Sequence, residues 1–141
     1  MQWKWKSPVF RILTVLIFIG LACRQPADSG FKKVIYTEHA PAAIGVYSQA
    51  IQVGNTVYLS GQIGLVPETR ELAGEDLESQ THQTIKNIEK VLEAAGFSLA
   101  DIVSANVFLD DLNNYEAFNE TYLQYFPINP PTRLVVEVSR I

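Results

Sequence analysis

The feature that most constrains this fold is the order of two hydrophobic periods along residues 33–138. Short stretches rich in β-branched and aromatic residues are typical of strands, and two longer stretches repeat apolar residues at helical spacing. The predicted strands are Lys33–Thr37, Tyr47–Val53, Thr56–Ser60, Ile102–Leu109 and Thr132–Val138. The predicted helices are Leu77–Ala95 and Tyr115–Phe126. This β-β-β-α-β-α-β order predicts an α+β fold, with both helices packed on one face of a mixed β-sheet.

Local signals mark where these elements begin and end. Gly54-Asn55 predicts a hairpin between the second and third strands. Gly96 is expected to end the first helix as its C-cap. Asn113, with Glu116 three residues later, resembles a capping box at the start of the second helix.

The N-terminal segment has the layout of a secretory signal. Met1–Arg11 is basic and aromatic, Ile12–Ala22 is almost continuously apolar, and Arg24–Gly30 is polar. The apolar run is about half of the ~20 residues that a transmembrane helix needs. We therefore expect a signal segment at 1–23, a tether at 24–32 and one domain at 33–141. An uncleaved membrane anchor and a buried helix are the alternatives.

Cys23 is the only cysteine, so no intrachain disulfide can form. Its place directly after Leu21-Ala22 resembles a lipoprotein cleavage site, at which the cysteine is lipidated. That pattern usually has leucine where this chain has Gly20, so an incidental cysteine near an ordinary signal-peptidase site stays open. Either reading predicts an exported protein, which is periplasmic or anchored to the membrane by lipid.

The charge of the body argues against nucleic-acid partners. Without residues 1–23, the chain keeps 8 basic and 15 acidic side chains, a formal charge of −7. Binding to nucleic acid or to anionic lipid needs clustered Lys and Arg instead. The sequence also has no metal-binding or phosphate-loop motif, so we expect neither metal nor nucleotide chemistry.

Arg133 is the leading candidate for a ligand contact. Alternation along its strand places Arg133, Val135 and Glu137 on one face, and the opposite face, with Leu134, is expected to be core. A guanidinium group pairs bidentately with a carboxylate. The pattern alone leaves two interpretations open, a carboxylate ligand or a structural salt bridge.

The other polar candidates are weaker on pattern alone. Ser60-Gly61 ends a strand but is not a nucleophile elbow, because Leu59 precedes the serine. Tyr47 opens a predicted strand, where half-buried packing is the ordinary role. Asn119 is expected to be a solvated helix position. His39 and His82 are also expected to be solvated, and neither is placed for a catalytic triad.

Five segments resemble, in order and spacing, the Rid family of enamine/imine deaminases over about residues 33–141. They are TEHAPAAIGVYSQAI, VYLSGQIG, IKNIEKVLEAAG, VFLDDLNNYEAFNETY and PPTRLVVEV. The resemblance implies a chorismate-mutase-like fold and a homotrimer with ligand clefts between neighbouring subunits. It also implies hydrolysis of 2-imino acids to 2-oxo acids and ammonia, with no cofactor or metal.

The resemblance also implies roles for individual residues. Arg133 matches the arginine that holds the substrate carboxylate, and Tyr47 matches a tyrosine lining the cleft. Three further residues match positions beside the ligand, namely Ser60, Gly61 and Asn119. Val135 stands where the family often has cysteine, at a contact made largely by the backbone.

The resemblance also implies a further strand after the position of Ile141, whose glutamate positions or activates water. We therefore expect the domain at 33–141 to lack its last strand, as a fragment or as a naturally shortened form. Glu137 is not expected to replace that glutamate, because four strand residues, roughly 13 Å, separate it from Arg133. Two interpretations remain, a deaminase and a non-catalytic module that binds small carboxylates in the same cleft. A role in RNA processing is a third, and the acidic body argues against it.

Overall fold

The computed structural model describes residues 31–140. Within that part of the chain, strands and helices follow the predicted order: β1 (Lys33–Ile35), β2 (Ala50–Val53), β3 (Thr56–Leu59), α1 (Leu77–Ala95), β4 (Ser104–Leu109), α2 (Tyr115–Tyr125) and β5 (Thr132–Glu137). Two 3-10 turns, Leu99–Asp101 and Leu112–Asn114, precede β4 and α2. The predicted α+β class is confirmed. The predicted signal segment, with Cys23, lies outside the described residues.

In the described part of the chain, the strands pair in both orientations, but they are divided between two sheets. Strands β1, β2 and β3 form an antiparallel sheet, and β4 and β5 form a parallel pair. Among residues 31–140, β3 and β4 each pair on one side only. The sequence could not foresee this division, because alternation identifies a strand without naming its partner.

The two ends of α1 are fixed by local hydrogen bonds. Asp76 is the N-cap, and its carboxylate accepts a hydrogen bond of 2.7 Å from the Ser79 amide. Gly96 adopts the left-handed conformation with φ of 82°, and its amide donates to the Glu93 carbonyl. A residue with a side chain is strained at that φ, so the predicted glycine C-cap is confirmed.

The predicted capping box at α2 is wrong. The N-cap is Asn114, whose side chain makes no capping hydrogen bond, and Asn113 lies inside the preceding 3-10 turn. That turn is held from outside α2, because the Asp111 carboxylate accepts from the Asn113 amide at 2.8 Å. The Glu137 carboxylate accepts from the Leu112 amide at 2.9 Å. The turn therefore positions the first residue of α2.

Among residues 31–140, the hydrophobic core has two clusters, and α1 contributes to both. The first contains Ile85 of α1 with Leu109 of β4 and three aromatic residues of α2 or its end, Phe118, Tyr122 and Phe126. The second contains Val91 of α1 with Ile35, Ala40 and Ala50. Both helices therefore lie against the same side of the strands, as predicted.

The face assignment along β5 is the reverse of the expected one. Val135 packs against the α2 cluster, whereas Leu134 is 53% exposed. The helices cover the face that carries Arg133, and no described residue covers the opposite face. That outer face, defined here by Val34, Tyr58, Phe108 and Leu134, is exposed and apolar.

A buried glutamine shortens the first two predicted strands. Gln49 is 3% exposed, and its side chain accepts from the Thr37 amide at 2.7 Å and donates to the Thr37 carbonyl at 3.0 Å. Because Thr37 is bonded to this side chain, its backbone does not continue the ladder with β2. Tyr47 therefore lies in a loop before β2, rather than opening the strand.

Candidate functional site

Arg133 is held by two side chains on α2. Its Nη2 donates to Asn119 Oδ1 at 2.5 Å and to the Tyr115 hydroxyl oxygen at 3.3 Å. The two acceptors lie four residues apart on α2, which places them on the same face of the helix. The guanidinium group is therefore fixed by one strand and by one helix face.

Three aromatic rings of α2 surround the guanidinium group. Its central carbon lies 4.6 Å from the ring centre of Tyr122, 5.3 Å from that of Phe118 and 5.7 Å from that of Tyr115. These residues have helical spacing, so they form one continuous wall. Cation–π attraction at such distances holds a positive charge without neutralising it.

No carboxylate neutralises Arg133 within residues 31–140. The salt bridges of this part of the chain are Lys90 with Glu93 and, if the histidine is protonated, His82 with Glu78. The hydrogen bonds of Arg133 both use Nη2, so Nη1 and Nε have no acceptor among the described residues. The structural salt bridge that the sequence pattern left open for Arg133 is therefore not found among the described residues. The half-buried guanidinium group keeps N–H donors that suit an anionic ligand.

Arg133 lies in a cleft of about 820 Å³. The lining residues are Leu112, Tyr115, Asn119, Tyr122, Leu123, Phe126, Pro130, Pro131, Arg133 and Val135. The polar groups cluster at Arg133, and the remaining walls are apolar. No lining residue is acidic, so the cleft offers positive charge and hydrophobic surface in the described part of the chain.

The charge of Arg133 lowers the pKa of both Tyr115 and Tyr122, whereas burial raises it, and the balance differs between the two residues. The pKa of Tyr115 is lowered, first by hydrogen bonding with the Asn119 side chain and then by the hydrogen bond and charge of Arg133. Burial raises the pKa of Tyr122, against the smaller effect of Arg133. Tyr122 also has a buried hydroxyl group with no hydrogen-bond partner among residues 31–140.

The structure brings three of the predicted site residues together. Arg133, Asn119 and Val135 all line the cleft. The expectation from pattern alone that Asn119 is merely solvated is wrong, because its side chain accepts from Arg133.

The other three predicted residues do not line this cleft within one chain. Tyr47 is 51% exposed, and its hydroxyl oxygen accepts from the Ile44 amide at 3.3 Å. Ser60 donates from Oγ to the Ser48 carbonyl at 2.6 Å. A side chain at Gly61 would meet nothing within 4 Å, so this position is open to the surroundings.

His82 is not the solvated residue that its sequence context predicts. Its side chain is 29% exposed, and Nδ1 lies 2.7 Å from the Tyr125 hydroxyl. It borders a second cavity of about 420 Å³, away from Arg133. Among residues 31–140, no group of three potential ligands is arranged to hold a metal ion. None of the described helices is long and apolar enough to span a membrane.

Sequence reasoning missed the aromatic wall of Tyr115, Phe118 and Tyr122 as part of the site. Their helical spacing predicts a core-facing stripe and gives no sign of a ligand contact. The missing information was the direction of Arg133, which faces α2 instead of solvent. An arginine on the side of a strand that a helix covers would have indicated that the facing helix residues belong to the site.

The fold and the arginine-centred cleft define a class of small, chorismate-mutase-like α+β domains. The family model described as "Endoribonuclease L-PSP" matches residues 37–141. The chain belongs to this family, which includes the RutC and Rid proteins.

Named relatives support this membership over most of their length. A RutC family protein of Sulfurisphaera tokodaii is 50% identical over 109 residues, covering 77% of this chain and 87% of that protein. The human 2-iminobutanoate/2-iminopropanoate deaminase is 40% identical over 114 residues, covering 81% and 83%. The crystal structure of RidA from an Antarctic Psychrobacter is 46% identical, with a TM-score of 0.75, covering 77% and 88%.

Proposed function

We propose that this protein hydrolyses reactive 2-enamino and 2-imino acids to 2-oxo acids and ammonia. One observation carries the proposal: Arg133 is a half-buried cation with unused donors and no carboxylate partner in the described chain. Relatives named as imine deaminases, at about 40% identity, support the same chemistry.

The substrate chemistry fits this arrangement. A 2-imino acid presents a planar carboxylate directly beside its C=N bond. A guanidinium group that pairs with the carboxylate therefore also fixes the direction of the imine carbon, which water attacks. The apolar walls around Leu123 and Phe126 suit the hydrocarbon part of such a substrate.

A non-catalytic module that binds small carboxylates is the second candidate. It is favoured by the absence of any acidic residue among those lining the cleft in the described chain. Glu137 is engaged elsewhere, because it accepts a hydrogen bond from the Leu112 amide. The ribonuclease activity in the family description is not proposed, because residues 24–141 carry a formal charge of −7.

We propose that the protein works as a homotrimer with clefts between neighbouring subunits. The exposed outer face of Val34, Tyr58, Phe108 and Leu134 supports this, because large apolar patches usually mark interfaces. Tyr47, Ser60 and Gly61 of one subunit would then complete the Arg133 cleft of its neighbour. Light scattering tests the assembly, and a monomeric mass at micromolar concentration would contradict it.

We also propose export, by cleavage before Cys23 and lipid attachment to it. The supporting pattern is the basic, apolar and polar order of residues 1–30. Radiolabelled fatty acid should enter the wild-type protein in a bacterial host, but not a Cys23→Ala variant. Equal labelling of both proteins, or of neither, would contradict lipidation. Recovery of the full precursor in the cytoplasm would contradict export.

The decisive experiment combines turnover with binding. A pyridoxal-phosphate enzyme generates 2-iminopropanoate in the assay, and ammonia and 2-oxo acid release is followed with and without the protein. Arg133→Lys keeps the positive charge but loses the planar set of guanidinium N–H donors, and it should lower kcat/KM by at least about tenfold.

Binding of 2-oxobutanoate is measured on the same samples by calorimetry. Binding with turnover supports the deaminase, and binding without turnover supports the carboxylate-binding module. An Arg133→Lys variant with unchanged turnover and unchanged binding would refute the assigned role of Arg133.

A further inference from the structure

Tyr115 places a phenol hydroxyl directly beside the guanidinium group of Arg133. It is the first residue of α2, it lines the cleft, and it is 43% exposed. Its oxygen accepts from Arg133 Nη2 at 3.3 Å. A phenol that accepts a hydrogen bond keeps its own proton for donation. The cleft therefore has a second donor next to the cation.

We propose that the Tyr115 hydroxyl donates a hydrogen bond to the heteroatom on C2 of a bound carboxylate. The cleft would thereby select 2-oxo and 2-imino acids over carboxylates that lack this atom. The inference rests on the proposed function, since it assumes that Arg133 holds the carboxylate. It adds the group that recognises the reacting end of the substrate.

The Tyr115 hydroxyl lies beside the free donors of the Arg133 guanidinium group. Nη2 uses its two hydrogens on Asn119 and Tyr115, so a ligand carboxylate is held by Nη1 and Nε, which have no acceptor in the described chain. In a 2-oxo or 2-imino acid, a carboxylate oxygen and the C2 heteroatom stand on adjacent carbons and can point the same way. Because the phenol oxygen lies 3.3 Å from Nη2 of that planar group, its own proton can reach the C2 heteroatom of a carboxylate held there.

No other hydroxyl group on the aromatic wall is suited to this role. The Tyr122 hydroxyl is buried away from solvent, and Phe118 has none. Asn119 has no hydroxyl: its side-chain oxygen accepts from Arg133, and its amide N–H₂ group is unchanged in a Tyr115→Phe variant, which therefore tests the phenol alone. Tyr115 is thus the exposed hydroxyl at the charged end of the cleft.

The charge environment strengthens this donor. Asn119 and Arg133 both lower the pKa of Tyr115, and a more acidic phenol donates a stronger hydrogen bond while it remains protonated. Deprotonation would remove the donor and place a negative charge beside the ligand carboxylate. Selection of 2-oxo acids should therefore weaken in alkaline solution.

The test is a cycle of two proteins and two ligands, measured by calorimetry. Wild type and Tyr115→Phe are each titrated with 2-oxobutanoate, a stable analogue of the imine, and with butanoate. One hydrogen bond is worth roughly 0.5–1.5 kcal/mol, so the variant should bind 2-oxobutanoate about 2- to 13-fold more weakly. Butanoate affinity should change by less than about twofold, because butanoate offers nothing to the hydroxyl.

Tyr125→Phe is the matched control. It removes a hydrogen-bonded phenol hydroxyl from the same helix, but that hydroxyl contacts His82 and does not line the Arg133 cleft. It should leave both affinities unchanged. The pH profile of wild type is a second readout that needs no variant: its preference for 2-oxobutanoate over butanoate should fall as the pH rises through the Tyr115 pKa.

The outcomes separate this inference from the proposed function. If wild type binds neither ligand, the proposal that Arg133 holds a carboxylate is wrong. If wild type binds both and Tyr115→Phe weakens them equally, Tyr115 only orients Arg133 and the selection is refuted. Selection would also be refuted by a variant that keeps the full preference for 2-oxobutanoate.

Discussion

Replacing Asn119 with aspartate should fill the Arg133 site with an internal anion. The two side chains have nearly the same shape, and Asn119 Oδ1 already lies 2.5 Å from Arg133 Nη2. An Asn119→Asp carboxylate would form a charge-assisted bond with the guanidinium group in the same geometry. A ligand carboxylate would then meet a neutralised cation and a like charge.

The size of the effect follows from the geometry. Two unit charges about 4 Å apart interact by about 4 kcal/mol at an effective dielectric constant of about 20. Solvent screening in this half-open cleft reduces the net effect to about 1–2 kcal/mol. Calorimetry should therefore show 2-oxobutanoate binding about 5- to 30-fold more weakly. Thermal stability should stay the same or rise slightly, because the new pair is partly exposed.

Asn55→Asp is the matched control for charge. Asn55 is exposed in the turn between β2 and β3, and it belongs neither to the cleft lining nor to the outer face. This substitution changes the net charge by the same amount but should alter the affinity for 2-oxobutanoate by less than about twofold, because salt screens an exposed charge outside the cleft. Unchanged binding in Asn119→Asp, or equal weakening in both variants, would refute the argument that Arg133 holds the ligand through its charge.

Two further predictions concern stability. Asn87 is 1% exposed and donates to two loop carbonyl groups at 3.0 and 2.9 Å, so Asn87→Ala should lower the free energy of unfolding by about 2–4 kcal/mol. Urea titration measures this against exposed Lys86→Ala, and a loss below about 1 kcal/mol would contradict the anchoring role. The bond from the Ser79 amide is the first cause that lowers the pKa of Asp76 below its ordinary 3.8. The Asp76 carboxylate therefore stabilises the folded state above its unfolded-state pKa, and this stabilisation is lost as the pH falls through its lower folded-state pKa. Thermal melts between about pH 6 and pH 2 should show a shallower acid decline in Asp76→Asn, and identical slopes would contradict the assignment.

Much of the fold followed from the sequence because its causes are local. Helix α1 has the predicted bounds, Leu77–Ala95, since its apolar stripe and Gly96 act within a few residues of each other. The order of elements was also predicted correctly. The predicted capping box failed although it too was local, because Asp111 and the distant Glu137 hold the turn before α2.

The site could be predicted only in part, because some of its contacts join residues that are distant in sequence. Alternation along β5 separated Arg133 and Val135 from Leu134, but the choice of the covered face depended on where α2 packs. The sequence by itself determined the β-β-β-α-β-α-β order and the place of Arg133 on its last strand. Only the tertiary structure decided that Arg133 faces three aromatic rings and Asn119 without a carboxylate partner in the described chain, because those contacts join residues distant in sequence.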